Sequence, residues 1–174
     1  MQFKRKFLGK TDYKKRLNLV KSRQIRLVVR KSLKNLTAQL VEYQDKGDKV
    51  ILAASTNELA KKYNLGIPKS NIPSAYLLGV LIGKKSQKKG IKKAILDLGM
   101  YRNVKGSKVY AVLKGAVDSG LDVPHSKESL PSNDRLLGKH IVDYKKNTKS
   151  KNYKINVSEL GKHINEVKEK IIKS

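Results

Sequence analysis

The basic residues of this chain are concentrated in three blocks, and between them the composition turns ordinary. Residues 1–31 hold twelve Lys or Arg and one acid, Asp12, for a net of +11. Residues 84–93 add six lysines in ten positions, and residues 139–154 are Lys-rich again, with Asn147, Thr148, Ser150 and Asn152 interspersed. Between the first two blocks, residues 32–83 carry six basic and four acidic groups, as an ordinary globular domain does. This pattern divides the chain into a basic arm (1–24), an α/β core (25–127), and a basic linker with a C-terminal helix (128–174).

The charge also narrows the partners. Forty Lys and Arg against fourteen Asp and Glu give a formal +26 over 174 residues. An excess of that size repels itself unless a polyanion shares the space. Nucleic acid fits best, because each neutralised phosphate releases counterions. There are no cysteines, which excludes a disulfide scaffold, a thiol nucleophile and a Cys-based zinc site, and suits a reducing compartment. The longest near-apolar run, Ala75 to Gly83, has nine residues, whereas a spanning helix needs about 20. The basic N-terminus lacks an apolar stretch of signal-peptide length. A cytoplasmic protein with no membrane partner is expected.

The folded part opens near Ile25. The β-branched run 25–30 predicts a strand. After a turn at Lys34-Asn35, Leu36 to Tyr43 alternates as an antiparallel partner would, and residues 49–54 follow a second turn at 45–48 as a third strand. Ser55-Thr56-Asn57-Glu58 matches a capping box opening a short helix. Pro73 starts a longer helix that Gly90 stops, residues 91–98 predict a fourth strand, and residues 107–119 a second long helix with Val109, Val112, Leu113, Ala116 and Val117 on one face. The strand–helix–strand order favours parallel pairing of the fourth strand. The expected fold is therefore an α/β two-layer sandwich: a mixed sheet, antiparallel meander plus one parallel strand, packed by helices. At the C-terminus, Val157, Leu160, Ile164, Val167 and Ile171 are spaced as on an amphipathic helix, with Asn156 as a plausible cap. That helix either docks on a partner or completes the core.

Catalytic chemistry finds no footing. His125, His140 and His163 are 15 and 23 residues apart, so no two share a helical metal spacing. Asp97 ends a predicted strand, where some nucleases place a metal-binding carboxylate, but a two-metal site needs several converging acids. Gly79 and Gly83 form a GxxxG pair, read as close packing of the long helix on the sheet. Gly99, Gly106 and Gly115 match no nucleotide-binding loop. No enzyme activity, metal, cofactor or small-molecule substrate is expected.

Binding chemistry is abundant by contrast. Gly9 to Tyr13 followed by Lys14-Lys15-Arg16 sets an aromatic inside a basic cluster, suited to phosphates and an unpaired base. Arg26 and Arg30 share one face of the first strand, which is either an RNA-facing or a plain solvent face. Met100-Tyr101-Arg102 offers an aromatic and a guanidinium on a strand-end loop. The lysines of 84–93 either grip phosphate or keep the surface soluble.

Taken in order, Gly9-Lys10-Thr11-Asp12-Tyr13, Arg26-Leu27-Val28-Val29-Arg30, Ala38 to Tyr43, Pro73 to Gly79, Ala94 to Gly99, Lys105 to Ala116 and Val123-Pro124-His125-Ser126 are similar to the large-subunit ribosomal protein eighteen family. The similarity is to its archaeal branch, the counterpart of eukaryotic large-subunit protein five, over roughly residues 4–143. The resemblance implies an α/β core of ribonuclease-H-like topology without that fold's catalytic carboxylates. It implies binding to 5S rRNA in the central protuberance, anchorage to 23S-type large-subunit rRNA, and neighbouring ribosomal proteins that include the protein five family. By the matching motifs, Lys10, Thr11, Tyr13, Arg16, Arg26, Arg30 and Arg102 would contact RNA. The wider candidate set adds Lys4, Arg5, Lys6, Lys14 and Arg23 from the arm, Lys84, Lys85 and Lys88 from the lysine cluster, and Lys105 and His125 from loops. One departure bears on how the arm leaves the domain: Ser22-Arg23-Gln24-Ile25 stands where the family usually has a Gly-containing turn. A non-specific nucleoid or RNA-chaperone protein is the alternative reading.

Overall fold

A computed structural model describes residues 3–45, 47–147 and 159–173. Two short helices come first, α1 (Lys4–Phe7) and α2 (Tyr13–Lys21). The strands β1 (Arg26–Lys31), β2 (Leu36–Glu42) and β3 (Lys49–Ser55) then form the expected meander. Helices α3 (Thr56–Lys62) and α4 (Ile72–Lys88) lead to β4 (Ile95–Asp97), which pairs parallel with β1. The sheet order is β3-β2-β1-β4. Next come α5 (Lys108–Asp118), a 3-10 turn (Lys127–Ser129), α6 (Asn133–Leu136), α7 (Lys139–Asn147) and α8 (Leu160–Lys173). The mixed α/β sheet packed by helices is as expected.

Alternation decides which side of the sheet is sealed. Leu27 and Val29 of β1, with Leu36, Ala38 and Leu40 of β2, are fully buried and join one core with α4 and α5. The interposed Arg26, Val28, Arg30, Thr37, Gln39 and Val41 therefore face the other way. Helix α4 is buried along most of its length because it lies between the sheet, α5 and α8. Its start is set by Asn71, whose side chain accepts the Ser74 N–H at 2.8 Å, with Pro73 in the first turn.

The GxxxG pair serves a different contact from the one expected. Gly79 and Gly83 face α5, not the sheet. A Cβ on Gly79 would run into the Val112 carbonyl oxygen and come within 2.9 Å of the Ala116 nitrogen, and one on Gly83 would lie 2.7 Å from Ser119 Cβ. Gly115 answers from α5, where a Cβ would meet the Tyr76 carbonyl and stand 2.8 Å from the Val80 nitrogen. The two backbones touch through three glycines, so the sequence signal for close approach was right and its partner was a helix.

Two further expectations are revised, and one that was open is decided. The fourth strand is shorter than 91–98: its pairing with β1 begins where the Ile95 N–H donates to Ile25 O at 2.8 Å and ends at Asp97. Residues 92–94 turn instead to the segment after α5: Ala94 N–H donates to Asp122 O at 3.0 Å and Asp122 N–H to Lys92 O at 2.9 Å. The Lys-rich stretch expected as a flexible linker is helical over Lys139–Asn147. The C-terminal helix buries Leu160, Ile164, Val167 and Ile171 in the same core, chiefly against α4, and His163 Nε2 lies 3.0 Å from Leu65 O. It completes the domain's own core; its proposed cap Asn156 lies outside the described residues. No described helix is long and apolar enough to cross a membrane.

Candidate nucleic-acid interface

The face of the sheet turned away from α4 and α5 carries a row of alternating charges. Arg16 from α2 donates to Asp48 Oδ2 at 2.9 Å. Asp48 Oδ1 lies 2.8 Å from Arg26 Nη2, a charge contact outside hydrogen-bonding alignment. Arg26 Nη1 reaches Asp97 Oδ2 at 3.3 Å, and Arg30 Nη2 reaches the other oxygen of Asp97, also at 3.3 Å. Three guanidiniums and two carboxylates thus alternate from the arm across β1 to the end of β4.

Local sequence explains why the row holds. Asp97 Oδ1 accepts the Gly99 N–H at 2.7 Å, which turns the chain sharply after β4. Gly99 sits at φ +60, and a Cβ there would lie 2.9 Å from Arg30 Cζ. Only glycine both takes this backbone and lets Arg30 pass. Arg30 is fixed further by donating Nη1 to Val29 O at 2.8 Å and Asp97 O at 3.0 Å. The loop beyond is pinned by Tyr101, whose hydroxyl accepts from Lys31 N–H at 3.1 Å and donates to Lys31 O at 2.9 Å, with Lys31 Nζ 4.9 Å from the ring centroid. With Tyr101 occupied in this way, Met100 and Arg102 are left exposed on the loop.

The arm forms the opposite wall. Arg5 Nε donates to Thr11 Oγ1 at 3.0 Å, Gly9 turns the chain at φ +60, and the Asp12 carboxylate caps α2 by accepting the Lys15 N–H at 3.1 Å. Arg23 takes a left-handed φ of +53 at the position where a glycine turn was missed in the sequence. The chain turns here with a side chain in a conformation that costs it about 1–2 kcal/mol.

Between arm and loop runs an open groove of about 620 Å³. Its floor is Arg26, Val28, Arg30, Gln39 and Val41; its walls include Arg5, Lys10, Thr11, Lys15, Arg16 and the loop from Gly99 to Asn103. Seven cations (Arg5, Lys10, Lys15, Arg16, Arg26, Arg30, Arg102) face three acids (Asp12, Asp48, Asp97) there. Such a groove attracts an anion and, with Gln39, Asn103 and backbone groups at hand, can also hydrogen-bond to it.

The expected RNA-contacting residues divide accordingly. Arg5, Lys10, Thr11, Arg16, Arg26, Arg30 and Arg102 converge on the groove. Within it Arg26 is only 3% exposed and held between two carboxylates, so it organises the floor and offers no free charge to a solvent-borne phosphate. The Arg30 side chain is 42% exposed and keeps an open flank. Tyr13 lies partly buried at the start of α2, its ring stacked on Phe3; Lys4, Lys6, Lys14 and Arg23 are exposed around the arm.

The lysine cluster stands apart, on the helix layer. Lys85 Nζ binds both oxygens of Glu58 and donates to Ala53 O at 2.9 Å, while Lys89 Nζ reaches Ile51 O at 3.4 Å. These two lysines cover outward carbonyls of β3, an edge strand, and so blunt an edge that would otherwise invite pairing. Burial alone would raise the Glu58 carboxyl, but hydrogen bonds from Lys85 and Lys62 and their charges outweigh it and hold it below the usual carboxylate range. Lys84 and Lys88 lie on the same helix, half-buried and exposed respectively. Lys105 pairs with Glu128 at 2.8 Å, and His125 Nδ1 lies 2.7 Å from Val123 O, both outside the groove.

Sequence reasoning placed Lys15 in the arm's basic cluster without singling it out as a contact, and missed Asp48 and Asp97 as members of this site. Asp97 drew notice only as a possible metal ligand, whereas its carboxylate faces two guanidiniums. The available signal was the Asp-x-Gly spacing of Asp97 and Gly99 next to a strand bearing Arg at i and i+4.

The sequence was also compared with known protein families. A family model described as ribosomal large subunit proteins 60S L5 and 50S L18 matches residues 1–91 and 84–126. Those residues supply the arm, every strand, α4, α5 and all of the groove. The chain belongs to this family, and is a protein of the large ribosomal subunit.

Proposed function

We propose that the protein binds 5S rRNA through the groove between its arm and its sheet, and anchors that RNA to 23S-type rRNA in the central protuberance beside the protein five family. The observation that carries this reading is the groove itself, seven cations and three acids on one open sheet face, in a chain of a ribosomal family. Exposed Arg5, Lys10, Lys15 and Arg102 would neutralise phosphates, and the pairs with Asp48 and Asp97 would hold Arg16 and Arg30 at fixed spacing between them. Phosphate contacts of this kind set register, while the groove's amides, Gln39 and Asn103, would read exposed edges of bases or riboses. The sheet order β3-β2-β1-β4 with β1 and β4 parallel supports the ribonuclease-H-like relationship that the resemblance implied.

The test is a competition titration of labelled 5S rRNA against excess tRNA at two salt concentrations. Specific binding predicts that 5S rRNA wins by about a hundredfold and keeps that margin at the higher salt, since shape and base contacts do not screen as phosphate contacts do. Equal competition by tRNA at both salts would overturn the reading in favour of a non-specific RNA chaperone.

A further inference from the structure

The arm is folded back on itself, and this gives its aromatic residues unequal roles. Backbone bonds from Lys6 and Phe7 to Phe3 O, at 2.8 and 3.1 Å, close α1. The Arg5–Thr11 bond and the turn at Gly9 then bring α1 against the start of α2. As a result Phe3 lies on Tyr13, with ring centroids 5.0 Å apart and planes inclined by 29°. Tyr13 is partly buried, but Phe3 is 68% exposed although it is large and apolar. Around it Lys4, Arg5, Lys6, Lys10 and Lys14 are all exposed.

An exposed ring already stacked on a second ring, amid cations, is a platform for one more flat, electron-rich partner attached to a polyanion. Stacked aromatic pairs are favoured over isolated rings, and a base can extend the stack without paying to order the ring it meets. We infer that Phe3, backed by Tyr13, stacks on an unpaired base of the bound RNA, and that Tyr13 acts as the positioning residue behind it. The inference rests on the proposed RNA binding and names a contact within it. The charge surrounding the pair favours RNA over an apolar protein partner, which would have to bury those lysines. Phe7, 82% exposed at the end of α1 and with no ring stacked on it among the described residues, provides an internal comparison.

The chain contains no tryptophan, so Phe3→Trp introduces a single fluorescent reporter. Labelled 5S rRNA is titrated into Phe3→Trp and, separately, into Phe7→Trp, with binding followed independently through the RNA label. Stacking predicts strong quenching of the Trp at position 3, at least several-fold more than at position 7, and about five- to hundredfold weaker binding for Phe3→Ala. Tyr13→Ala should weaken binding and reduce the quenching of Phe3→Trp in the double variant, whereas Tyr13→Phe should leave both unchanged. If both Trp variants bind with equal quenching, or Phe3→Ala binds as the wild type does, the stacking inference fails while RNA binding stands. If the wild type itself shows no preference for 5S rRNA, the underlying reading fails instead.

Discussion

The two faces of the sheet solve opposite problems. On the inner face, Leu27, Val29, Leu36, Ala38 and Leu40 meet α4 and α5, and the two helices approach until their backbones touch at Gly79, Gly83 and Gly115. On the outer face, Arg26 and Arg30 stand at the alternate positions of the same strand and are held by Asp48 and Asp97. One strand thus carries a hydrophobic row on one side and a guanidinium row on the other. The inner face is specified by shape, where a methyl group too many is felt at once. The outer face is specified by charge balance, where an unpaired ion is the larger hazard. The two faces can therefore be disturbed separately, one through shape and the other through charge.

The largest effect should come from the inner face. Gly79→Val places atoms where the Val112 carbonyl and the Ala116 nitrogen already are, and both are backbone groups that cannot swing aside. A loss of about 3 kcal/mol or more is expected in urea unfolding, at the upper end of overpacking costs. A loss below about 1 kcal/mol would break the comparison, because the helices would then part easily. On the outer face, Asp97→Asn leaves Arg26 buried with only Asp48 beside it. We expect about 2–3 kcal/mol of destabilisation, below the cost of a fully orphaned buried charge. Adding Arg26→Met to that variant should recover much of the loss, since it removes the charge left unpaired. No recovery would mean that packing, not charge balance, governs this face as well.

The inner face was largely legible in the sequence, and the outer face was not. Alternation in residues 36–43, the capping signal at Ser55 and the small-residue spacing of Gly79 and Gly83 each follow from local periodicity, which survives without knowledge of the neighbours. Even there the partner of the glycines was misread, because spacing reports closeness but not what comes close. Half of the capping box was also misleading: Ser55 Oγ accepts the Glu58 N–H at 3.3 Å, but the Glu58 carboxylate turns to Lys62 and Lys85. The outer face joins residues 16, 26, 48 and 97, brought together by the register of three strands and the fold of the arm. Nothing local marks Asp48 as the partner of Arg16 and Arg26, and so Arg26 read as a free RNA contact when it is the buried centre of the row. Phe3 was overlooked for the same reason, since its importance lies in the ring it rests on ten residues later.

Arg23 sharpens the contrast at the junction of arm and sheet. It holds φ +53, where a side chain is unfavourable and glycine is not. Arg23→Gly should stabilise the fold by about 1 kcal/mol, raising Tm by roughly 3 °C for a chain of this size. If the exposed guanidinium also meets phosphate, the same variant will bind 5S rRNA more weakly and with a shallower salt dependence. A variant that gains stability and loses affinity shows the strain to be retained for the charge. One that gains stability with affinity unchanged confines Arg23 to the turn.

The smallest effect concerns the ion pairs of the helix layer, whose lysines reach solvent as the buried Arg26 of the outer row does not. Glu58 is held below the ordinary carboxylate value, about 4.3, by Lys85 and Lys62 against the opposing effect of its burial. A depressed pKa in the folded state means that the pair's contribution is present above the unfolded value and disappears as pH falls through the folded one. The expected contribution is about 0.5 kcal/mol, because solvent screens the partners. Wild type should therefore exceed Glu58→Gln in stability at pH 6 and converge with it as the pH falls through the lowered folded-state value, measured by urea midpoints down the acid range. Asp97→Asn makes the useful contrast at pH 6, where its deficit should be several times larger although both variants delete one carboxylate. What separates them is burial: Lys62 and Lys85 can turn to water when Glu58 is lost, and Arg26 cannot when Asp97 is.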